Sequence, residues 1–411
     1  MWPIVSVKDV CESVIDCVNK TAPVVNYETP YKMIRTTNVK KGVVSLVGAR
    51  FVEKSTFEKW TRRTIPRVGD VILTREAPLG DVGMITTPNQ NIFLGQRLMQ
   101  YRVNPAKLNA HYLLYALQGS DLQGQLKAAG SGSTVEHIRV GDAENLKIKL
   151  PSIEIQKSIG QLLANYDNLI ENNNRRIAIL EDMAQSLYRE WFVNFRYPGH
   201  ADDVDKDGNQ KLIDSPLGQI PEGWDVKPLG ELVNFKRKTI KKGDVAEQTP
   251  YMGLEHFPRK SIALSEWEEV SKIGSNKLAF TRGDILFGKI RPNFHKVGVA
   301  QVDGLCSSDT FVFSPKDVLH HALIAMLTFS NEFVAQAVQT SQGSKMPRAS
   351  WDVLKEFSVC IPDRYIIERF NTIVNPAIEQ VRVLSLKNRN LKQQRDMMLP
   401  KLISGRIELK D

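Results

Sequence analysis

Cysteine is scarce in this sequence of 411 residues, which contains only four. They are Cys11, Cys17, Cys306 and Cys360. Because no two stand in a Cys-x-x-Cys pair, the sequence indicates neither a zinc site nor a disulfide framework. No apolar stretch approaches the roughly 18 residues that span a bilayer, and residues 1–4 do not begin a secretion signal. We therefore expect a reduced, cytoplasmic protein that makes no contact with a membrane.

Catalytic signatures are missing as well. The segment Gly283 to Lys289 fits Gly-x-x-x-x-Gly-Lys, but Ile290 stands where a nucleotide site needs Ser or Thr for magnesium. The stretch 203–208 (Asp-x-Asp-x-Asp-Gly) resembles half of a calcium loop, but Asp214 replaces its closing Glu. The sequence contains no nucleophile elbow, and its seven histidines do not have the spacing of metal ligands. It also lacks the Asn/Asp-Pro-Pro-Tyr/Phe motif of adenine methyltransferases. The sequence predicts no catalytic residue and no metal site, which leaves a role in binding.

The charge balance is basic. Lysine and arginine (55) outnumber aspartate and glutamate (46), which gives a formal net charge of +9 and a pI near 9.2. Such a surplus fits a surface that binds a polyanion, although many proteins carry a similar charge without such a partner. Apolar residues make up 42% of the chain, enough to bury real cores. The length suggests two or three domains.

The second half of the chain repeats the first in diverged form. Five features recur in the same order, at offsets between 210 and 222 residues. They are the entries at Trp2 and Trp224, Thr29-Pro30-Tyr31 and Thr249-Pro250-Tyr251, Gly69-Asp70 and Gly283-Asp284, His111 and His321, and Leu150-Pro151 and Ile361-Pro362. One match could arise by chance, but five in order indicate two related copies.

Each copy has a globular part followed by a long helix. Short β-branched runs separated by Gly, Pro and Asn, such as 42–47 and 82–85, predict strands and turns. Helices are predicted after Pro151 and Pro362, with Ser152 and Asp363 as N-caps. The predicted parts are a globular domain at 1–151, a helix at 152–197, a linker at 198–223, a second globular domain at 224–362 and a helix at 363–404.

Apolar residues recur at 4-3 spacing along both predicted helices and indicate a coiled-coil seam with polar interruptions near its middle. The first helix leads into the second domain and the second helix leaves it, so a mutual pairing would be antiparallel. The alternative is two amphipathic helices that each pack on their own domain. The predicted seam residues are Leu162, Tyr166, Leu169, Asn173, Leu180, Phe370, Ile373, Leu384 and Leu391. The predicted fold is α+β: two globular α/β domains in a pseudo-two-fold arrangement, separated by two long antiparallel coiled-coil helices.

Two stretches rich in glycine, hydroxyls and bases precede the long helices at matching places, and two charged loops follow the Gly-Asp strands. Small residues let a backbone approach phosphates, and a nearby Arg or Lys can reach a guanine edge. The alternative is a solvated surface turn or charged face. The candidate DNA-binding residues are Arg75, Gly132, Ser133, Thr134, His137, Arg139, Lys289, Arg291, Asn293, Gly343, Ser344, Lys345 and Arg348.

This combination resembles the specificity subunits of type I restriction–modification systems. The features that carry the resemblance are the two Gly-Asp strands, the Leu150-Pro151 junction, Ile155-Gln156-Lys157-Ser158-Ile159 and Ile220-Pro221-Glu222-Gly223-Trp224. The likeness covers essentially the whole chain in the order target domain, helix, target domain, helix. Residues 361–364 depart from the family pattern, because they lack its second proline and its glutamine.

The resemblance implies that each globular part is a target-recognition domain that reads one half of an interrupted site in double-stranded DNA, with the coiled coil fixing the gap. It also implies two methyltransferase subunits docked on the long helices, and restriction subunits that complete an ATP-driven endonuclease. S-adenosylmethionine, ATP and magnesium would be bound by those partners, and this chain would carry no cofactor and no chemistry. Three alternatives remain open: a partner that fuses methylation and cleavage, a dimeric coiled-coil scaffold that does not bind DNA, and an enzyme with an unfamiliar site.

Overall fold

The computed structural model describes residues 2–88, 90–130, 136–202, 204, 210–241, 245–246, 248–269, 275–343 and 345–407. The chain divides into two compact units. Unit 1 comprises Met1–Asn168 and Leu391–Asp411, and unit 2 comprises Leu169–Asn390. Both long helices contribute residues to both units, because each boundary falls inside a helix.

The first half of the chain forms eleven named strands and six helices in the described residues. The strands are β1 (Ile4–Ser6), β2 (Cys11–Asp16), β3 (Tyr31–Ile34), β4 (Val39–Lys40), β5 (Gly42–Val44), β6 (Arg50–Phe51), β7 (Val71–Arg75), β8 (Leu79–Met84), β9 (Asn91–Leu94), β10 (Leu98–Val103) and β11 (Lys147–Lys149). The helices are α1 (Val7–Val10), α2 (Lys54–Trp60), α3 (Ala110–Gln118), α4 (Ser120–Ala129), α5 (Val140–Glu144) and α6 (Ile153–Phe192).

The second half follows with a similar series in its described residues. The strands are β12 (Leu212–Ser215), β13 (Gly218–Pro221), β14 (Asp225–Pro228), β15 (Val233–Lys236), β16 (Thr239–Ile240), β17 (Pro250–Met252), β18 (Ala263–Leu264), β19 (Glu268–Glu269), β20 (Lys277–Phe280), β21 (Ile285–Gly288), β22 (Val297–Ala300), β23 (Gly304–Cys306), β24 (Thr310–Pro315) and β25 (Ser358–Ile361). The helices are α7 (Leu229–Leu232), α8 (His321–Phe329), α9 (Asn331–Gln339), α10 (Trp351–Leu354) and α11 (Arg364–Ser404).

The internal repeat is visible in the order of the sheets. Unit 1 contains a six-stranded sheet in the order β2-β10-β7-β8-β5-β4, a three-stranded sheet β6-β3-β9 and the pair β1-β11. Unit 2 contains five-stranded sheets in the orders β15-β24-β21-β22-β18 and β16-β20-β23-β17-β19, and the pairs β14-β25 and β12-β13. The run β2-β10-β7-β8 of unit 1 therefore corresponds to β15-β24-β21-β22 of unit 2, and β1-β11 corresponds to β14-β25.

The Gly-Asp pairs that mark the repeat form the same turn in both units. Gly69 (φ +89°) and Gly283 (φ +88°) adopt a left-handed backbone conformation that other residues rarely take. The buried carboxylate that follows accepts a hydrogen bond from the backbone N–H three residues earlier, at 2.8 Å for Asp70 and 2.7 Å for Asp284. Each carboxylate also pairs with a basic side chain of the same sheet. These contacts fix the start of β7 and of β21.

Each unit has its own apolar core. In unit 1, helix α3 packs with β7 and β10, and in unit 2 nearly all of α8 is buried among β21, β22 and β24. Within the described ranges, no single helix combines the length and the apolar character needed to cross a membrane. Among the described residues, only the helix pair Val318–Phe329 and Asn331–Gln339, which is bent by 59°, combines sufficient length and apolar character. Most of the segment Val318–Phe329 lies in the core of unit 2.

The long helices contact each other in both units, and within unit 2 the pairing is antiparallel. In unit 2, Asn173 of α6 lies against Asn388 of α11, and further along Phe192 lies against Phe370, with ring centroids 4.8 Å apart. In unit 1, Arg395 of α11 forms an ion pair with Asp167 of α6. Within unit 2, partner numbers fall on α11 as they rise on α6. The structure favours mutual pairing over two helices that pack only on their own domains.

Two of the predicted seam residues, one on each long helix, are wrong by one position. Leu169 and Ile373 are 51% and 42% exposed, whereas the following residues, Ile170 and Val374, are buried. Because both adjacent positions are apolar, hydrophobicity could not decide which of them faces the partner helix. Of the other predicted seam residues, Asn173, Phe370 and Leu384 are buried, and Leu162, Tyr166, Leu180 and Leu391 are half-buried.

The helix ends follow local signals. The predicted caps are present, since Ser152 Oγ accepts from Ile155 N (3.4 Å) and Asp363 Oδ1 accepts from Ile366 N (3.0 Å). Helix α6 ends at Phe192 and does not continue to residue 197. The left-handed backbone of Phe195 (φ +57°) is incompatible with a continued α-helix.

Candidate nucleic-acid interface

Three chain segments of unit 2 meet where strand β21 ends. The backbone N–H of Lys289 donates to the carbonyl oxygen of Asp309 (2.8 Å), and the N–H of Ala349 donates to the carbonyl oxygen of Lys289 (3.0 Å). Ile290 and Arg348 form an isolated antiparallel bridge beside these bonds. The strand-exit junction of unit 2, as we name it, comprises residues 289–291, 307–309 and 345–349.

Unit 1 contains the same arrangement where β7 ends. The backbone N–H of Arg75 donates to the carbonyl oxygen of Arg97 (2.8 Å), and the N–H of Ile138 donates to the carbonyl oxygen of Arg75 (3.0 Å). Glu76 and His137 form the antiparallel bridge. The strand-exit junction of unit 1 comprises residues 75–77, 95–97 and 136–139. The two junctions thus share two backbone hydrogen bonds and one bridge.

These junctions bring together candidates that lie far apart in sequence. Arg75 lies beside His137 in unit 1, and Lys289 lies beside Arg348 in unit 2. The predicted residues Gly132, Ser133, Thr134 and Ser344 lie outside the described residues. The described members of the two predicted groups, one after the Gly-Asp strand and one before the long helix, therefore belong to one surface in each unit.

Lys289 is the most constrained base of the unit 2 junction. Its Nζ donates to the carbonyl oxygen of Ser308 (2.6 Å) and lies 4.8 Å from the centre of the Phe311 ring. Burial lowers the pKa of this amine, and the positive charges of Arg237 and Arg348 lower it further, against the opposing effect of Asp309. The side chain therefore holds the neighbouring turn in place more than it reaches outward.

The other predicted bases of unit 2 are exposed. Arg291 adopts a left-handed backbone (φ +49°), and its N–H donates to the carbonyl oxygen of Pro347 (2.8 Å). Lys345 lies in the next turn of the junction, and Arg348 Nε lies 3.4 Å from Asp309 Oδ1. Two further candidates lie outside the junction. Asn293 is exposed in the 3₁₀ turn Pro292–Phe294, and Gly343 has φ +106°.

Unit 1 presents fewer exposed bases at its junction. Arg75 is half-buried, and its Nη1 donates to the carbonyl oxygen of Ile138 (3.2 Å). Its Nε is buried and has no hydrogen-bond partner among the described residues. Arg139 is exposed just before α5, and His137 is exposed beside Glu76. Arg75 therefore stabilises the junction, whereas His137 and Arg139 face solvent.

Sequence reasoning missed Arg97 and Asp309, which occupy equivalent turns before β10 and β24. The Arg97 guanidinium lies 3.2 Å from the carboxylate of Glu76. In unit 1 the arginine lies in this turn and the acid lies just after β7. In unit 2 the acid, Asp309, lies in the turn and the arginine, Arg348, lies in the segment 345–349. The signal was hidden because an arginine in one copy and an aspartate in the other do not align as a repeat.

Aromatic rings support the basic surface of unit 2. Phe235 and Trp351 stack with centroids 4.4 Å apart and planes inclined by 6°, and the Arg237 guanidinium lies 4.8 Å above Phe235. The neighbouring Lys236 instead pairs with the buried Asp284 (2.7 Å) and belongs to the fold. The stacked rings limit the movement of the Arg237 guanidinium through a cation–π contact.

Within the described part of the chain, Glu255, His256 and Glu268 form a group close enough to share a metal ion. His256 Nδ1 accepts a hydrogen bond from the backbone N–H of Gly253 (3.0 Å). A neutral imidazole that accepts at Nδ1 carries its proton on Nε2, which then has no lone pair for a metal. The two carboxylates are exposed, so a hydrogen-bonded surface cluster explains the geometry.

The chain is similar to known proteins over most of its length. Residues 1–182 and 221–388 match the family model described as type I restriction modification DNA specificity domain. The type I restriction enzyme MjaIX specificity subunit of Methanocaldococcus jannaschii is 23% identical over 386 residues, which cover 89% of this chain and 83% of that protein. The EcoDI specificity subunit of Escherichia coli is 25% identical over 277 residues, covering 64% and 61%.

A solved structure shares the fold. The crystal structure of a type I restriction–modification system S subunit from M. genitalium superposes with a TM-score of 0.61 and 14% sequence identity, and the match covers 98% of this chain and 96% of that one. At this identity the likeness supports the predicted α+β architecture with two long helices.

Proposed function

Because this chain belongs to the type I restriction–modification DNA specificity family, whose role is DNA recognition, we propose that it reads one DNA target in two separated parts. Each unit contacts one half-site through the surface around its strand-exit junction. The chain itself performs no bond-making or bond-breaking step. It recognises the DNA target for a complex whose other subunits carry out the chemistry.

The observation that carries this proposal is the duplicated junction. Both units use the same backbone hydrogen bonds at the end of β7 and of β21, yet they display different side chains there. A shared backbone with different side chains is what two related domains need to read two different sequences. The net charge of +9 supplies the general attraction to phosphates.

The paired helices fit a role as a spacer between the half-sites. Helices α6 and α11 contain 40 and 41 residues, which corresponds to about 60 Å each at 1.5 Å per residue. Their antiparallel pairing in unit 2, with a buried polar contact, makes a stiff element. We propose that the length of this pair sets the number of unread base pairs between the half-sites.

The face of α6 that points away from the globular part of unit 2 fits a partner subunit. Gln185 and Glu181 contact that globular part, through Met326 O (2.8 Å) and Ser261 Oγ (2.7 Å). Residues two positions away lie about 200° around the helix, and two of them, Ile179 (67% exposed) and Met183 (41% exposed), are exposed and apolar. We assign this outer face to a methyltransferase subunit, and two such subunits complete the modification complex.

Cofactors belong to the partners in this proposal. S-adenosylmethionine would be held by the methyltransferase subunits, and ATP and magnesium by the restriction subunits. The chain would bind none of them and would act inside the cell with its partners.

Long-read sequencing of adenine methylation, in the native host with and without this gene, tests the proposal. The expected result is that one motif with two defined parts and a fixed gap loses its methylation on deletion. Reintroduction of the gene should restore the same motif. A methylome that does not change on deletion in a host that expresses the chain and its partners contradicts the proposal.

A further inference from the structure

We propose that each unit reads a guanine with one arginine that a neighbouring carboxylate holds in position: Arg97, held by Glu76, in unit 1, and Arg348, held by Asp309, in unit 2. This inference rests on the proposed function and goes beyond it, because it assigns the base-reading residues. It also separates them from the bases that only support the junction. An arginine reads guanine when its two parallel N–H groups meet O6 and N7 in the major groove.

In unit 1, the backbone of Arg97 is fixed before its side chain is considered. Its carbonyl oxygen accepts the N–H of Arg75 at 2.8 Å, and its own backbone is left-handed (φ +70°). The guanidinium, which is half exposed, reaches Glu76 through Nη2 at 3.2 Å. Glu76 is itself fixed by its bridge to His137. Nη2 of the guanidinium is therefore engaged by the carboxylate, while the side chain as a whole stays half exposed.

In unit 2, two backbone hydrogen bonds fix the position of Arg348. Its N–H donates to the carbonyl oxygen of Gln342 (2.8 Å), and its carbonyl oxygen accepts the N–H of Gln342 (3.0 Å). The side chain is half exposed and reaches Asp309 through Nε at 3.4 Å. Asp309 is fixed in turn by the backbone bond from Lys289. Among the described residues, the Arg348 side chain makes its contact with Asp309 through Nε and not through its terminal nitrogens, which leaves these two nitrogens for a base.

The carboxylates are the informative part of this geometry. An acid on a surface that faces phosphates weakens binding through like-charge repulsion. A phosphate-binding surface alone would therefore gain nothing from Glu76 or Asp309. Their position is explained if an oriented guanidinium is needed, because a fixed planar fork discriminates between bases and a mobile one does not.

The other bases of the junctions have a different task. Arg75 and Lys289 occupy equivalent positions, and both donate to a backbone carbonyl, at 3.2 Å and 2.6 Å. Both side chains are partly buried. They are positioning residues: the Arg75 side chain holds the segment 136–139, which bridges to Glu76, and the Lys289 side chain holds the turn that carries Asp309.

The test uses the complete complex of this chain with its methyltransferase subunits. The wild-type motif is first read from methylation sequencing, and methylation rates are then measured on duplexes in which each base pair of the motif is replaced in turn. We expect Arg97→Ala to lose roughly 5- to 150-fold of discrimination at one G·C pair of one half-site. Arg348→Ala should do the same at one G·C pair of the other half-site.

The variants Glu76→Gln and Asp309→Asn keep each arginine but remove the carboxylate charge that orients its guanidinium. We expect them to relax the same G·C pair as the corresponding alanine variant, by a smaller factor. They keep the test decisive if an alanine variant does not fold. The variants Arg67→Ala and Arg282→Ala are matched controls. These arginines also pair with carboxylates, those of Glu12 and Glu379. They lie before β7 and β21, at the strand ends opposite to the junctions. The controls should leave every base preference unchanged.

Failure of this inference is distinguishable from failure of the proposed function. A wild-type complex that methylates no two-part motif contradicts the proposed function. A two-part motif with a half-site that lacks any G·C pair overturns the inference alone. So does an Arg97→Ala or Arg348→Ala complex that keeps all base preferences, or that loses activity equally on every duplex.

Discussion

Asn173 of α6 donates a hydrogen bond from Nδ2 to the side-chain oxygen of Asn388 of α11, at 2.9 Å, inside the helix pair of unit 2. Both side chains are buried. Asn388 Nδ2 in turn donates to Oδ1 of Asn174 (2.8 Å). A buried amide pair within an otherwise apolar seam permits one register of the two helices and penalises the others.

This amide pair predicts a strongly coupled double-mutant cycle. Asn173→Leu alone should lower the free energy of unfolding by about 1–3 kcal/mol, because it leaves the Asn388 amide buried without this partner. The double variant Asn173→Leu with Asn388→Leu should cost far less than the sum of the single variants, since no buried amide remains. Denaturant unfolding of all four proteins measures this difference. Additive costs would show that the two amides act independently.

The buried Glu181 predicts a pH-dependent stability. Burial raises the pKa of this carboxyl above its ordinary 4.5, although hydrogen bonds from Ser261 and Ile262 oppose the shift. A raised folded-state pKa means that ionisation costs the folded protein free energy at neutral pH, and that this cost disappears as the pH falls below the ordinary value.

Glu181→Gln should therefore raise the melting temperature at pH 7–8, and the gain should shrink as the pH approaches 4.5. Glu181→Ala is the matched comparison. It should destabilise at every pH by about 1–3 kcal/mol, because the N–H of Ile262 loses its acceptor. A gain for Glu181→Gln that grows towards acidic pH would contradict the assigned direction of the shift.

The outer face of α6 predicts a variant that assembles poorly but folds normally. Ile179→Glu places a charge in the proposed methyltransferase contact, so the affinity for that subunit should fall at least tenfold while the melting temperature stays within about 2 °C. Analytical ultracentrifugation or calorimetry with the partner subunit measures the affinity. Val318→Glu is the control, since Val318 is equally apolar and 78% exposed elsewhere in unit 2. Equal losses for both variants would remove the case for a specific docking face.

Lys345 predicts a loss of affinity without a loss of base preference. It is exposed and its position in the unit 2 junction suits a phosphate contact. Lys345→Ala should weaken binding by a similar factor on all duplexes and reduce the slope of log affinity against log salt by about one unit. Binding measured between 50 and 200 mM salt, a range over which such contacts lose much of their strength, gives both quantities. A change in preference at one base pair would reassign Lys345 as a base-reading residue.

The repeat and the helices could be predicted from sequence because their signals are local. A glycine with a left-handed backbone followed by a turn-closing aspartate marks β7 and β21 in both copies, and Ser152 and Asp363 mark where the helices begin. The prediction of Leu169 as a seam residue failed because Ile170 beside it is equally apolar. Only the packing of the two helices decides between such neighbours.

The junctions could be predicted only in part. The composition of their segments predicted Arg75, His137, Lys289 and Arg348 as binding residues. Nothing in the local sequence indicates that the two segments of each unit meet across a bridge. Arg97 escaped notice because it is a single base in a turn. Its importance follows from the backbone bond to Arg75, a contact between residues 22 positions apart that depends on the pairing of β7 with β10.

The central claim is that the helix pair sets the distance between two half-sites. Seven residues inserted after Asn173 and seven inserted before Asn388 keep the heptad phase and lengthen both helices by about 10 Å, or about three base pairs of DNA. As a control, the same seven residues are inserted in the exposed turn at Leu217. Methylation sequencing of the lengthened variant should show the same two half-sites with a gap about three base pairs longer, and the control should keep the original gap. A lengthened variant that still methylates the original gap would contradict the claim.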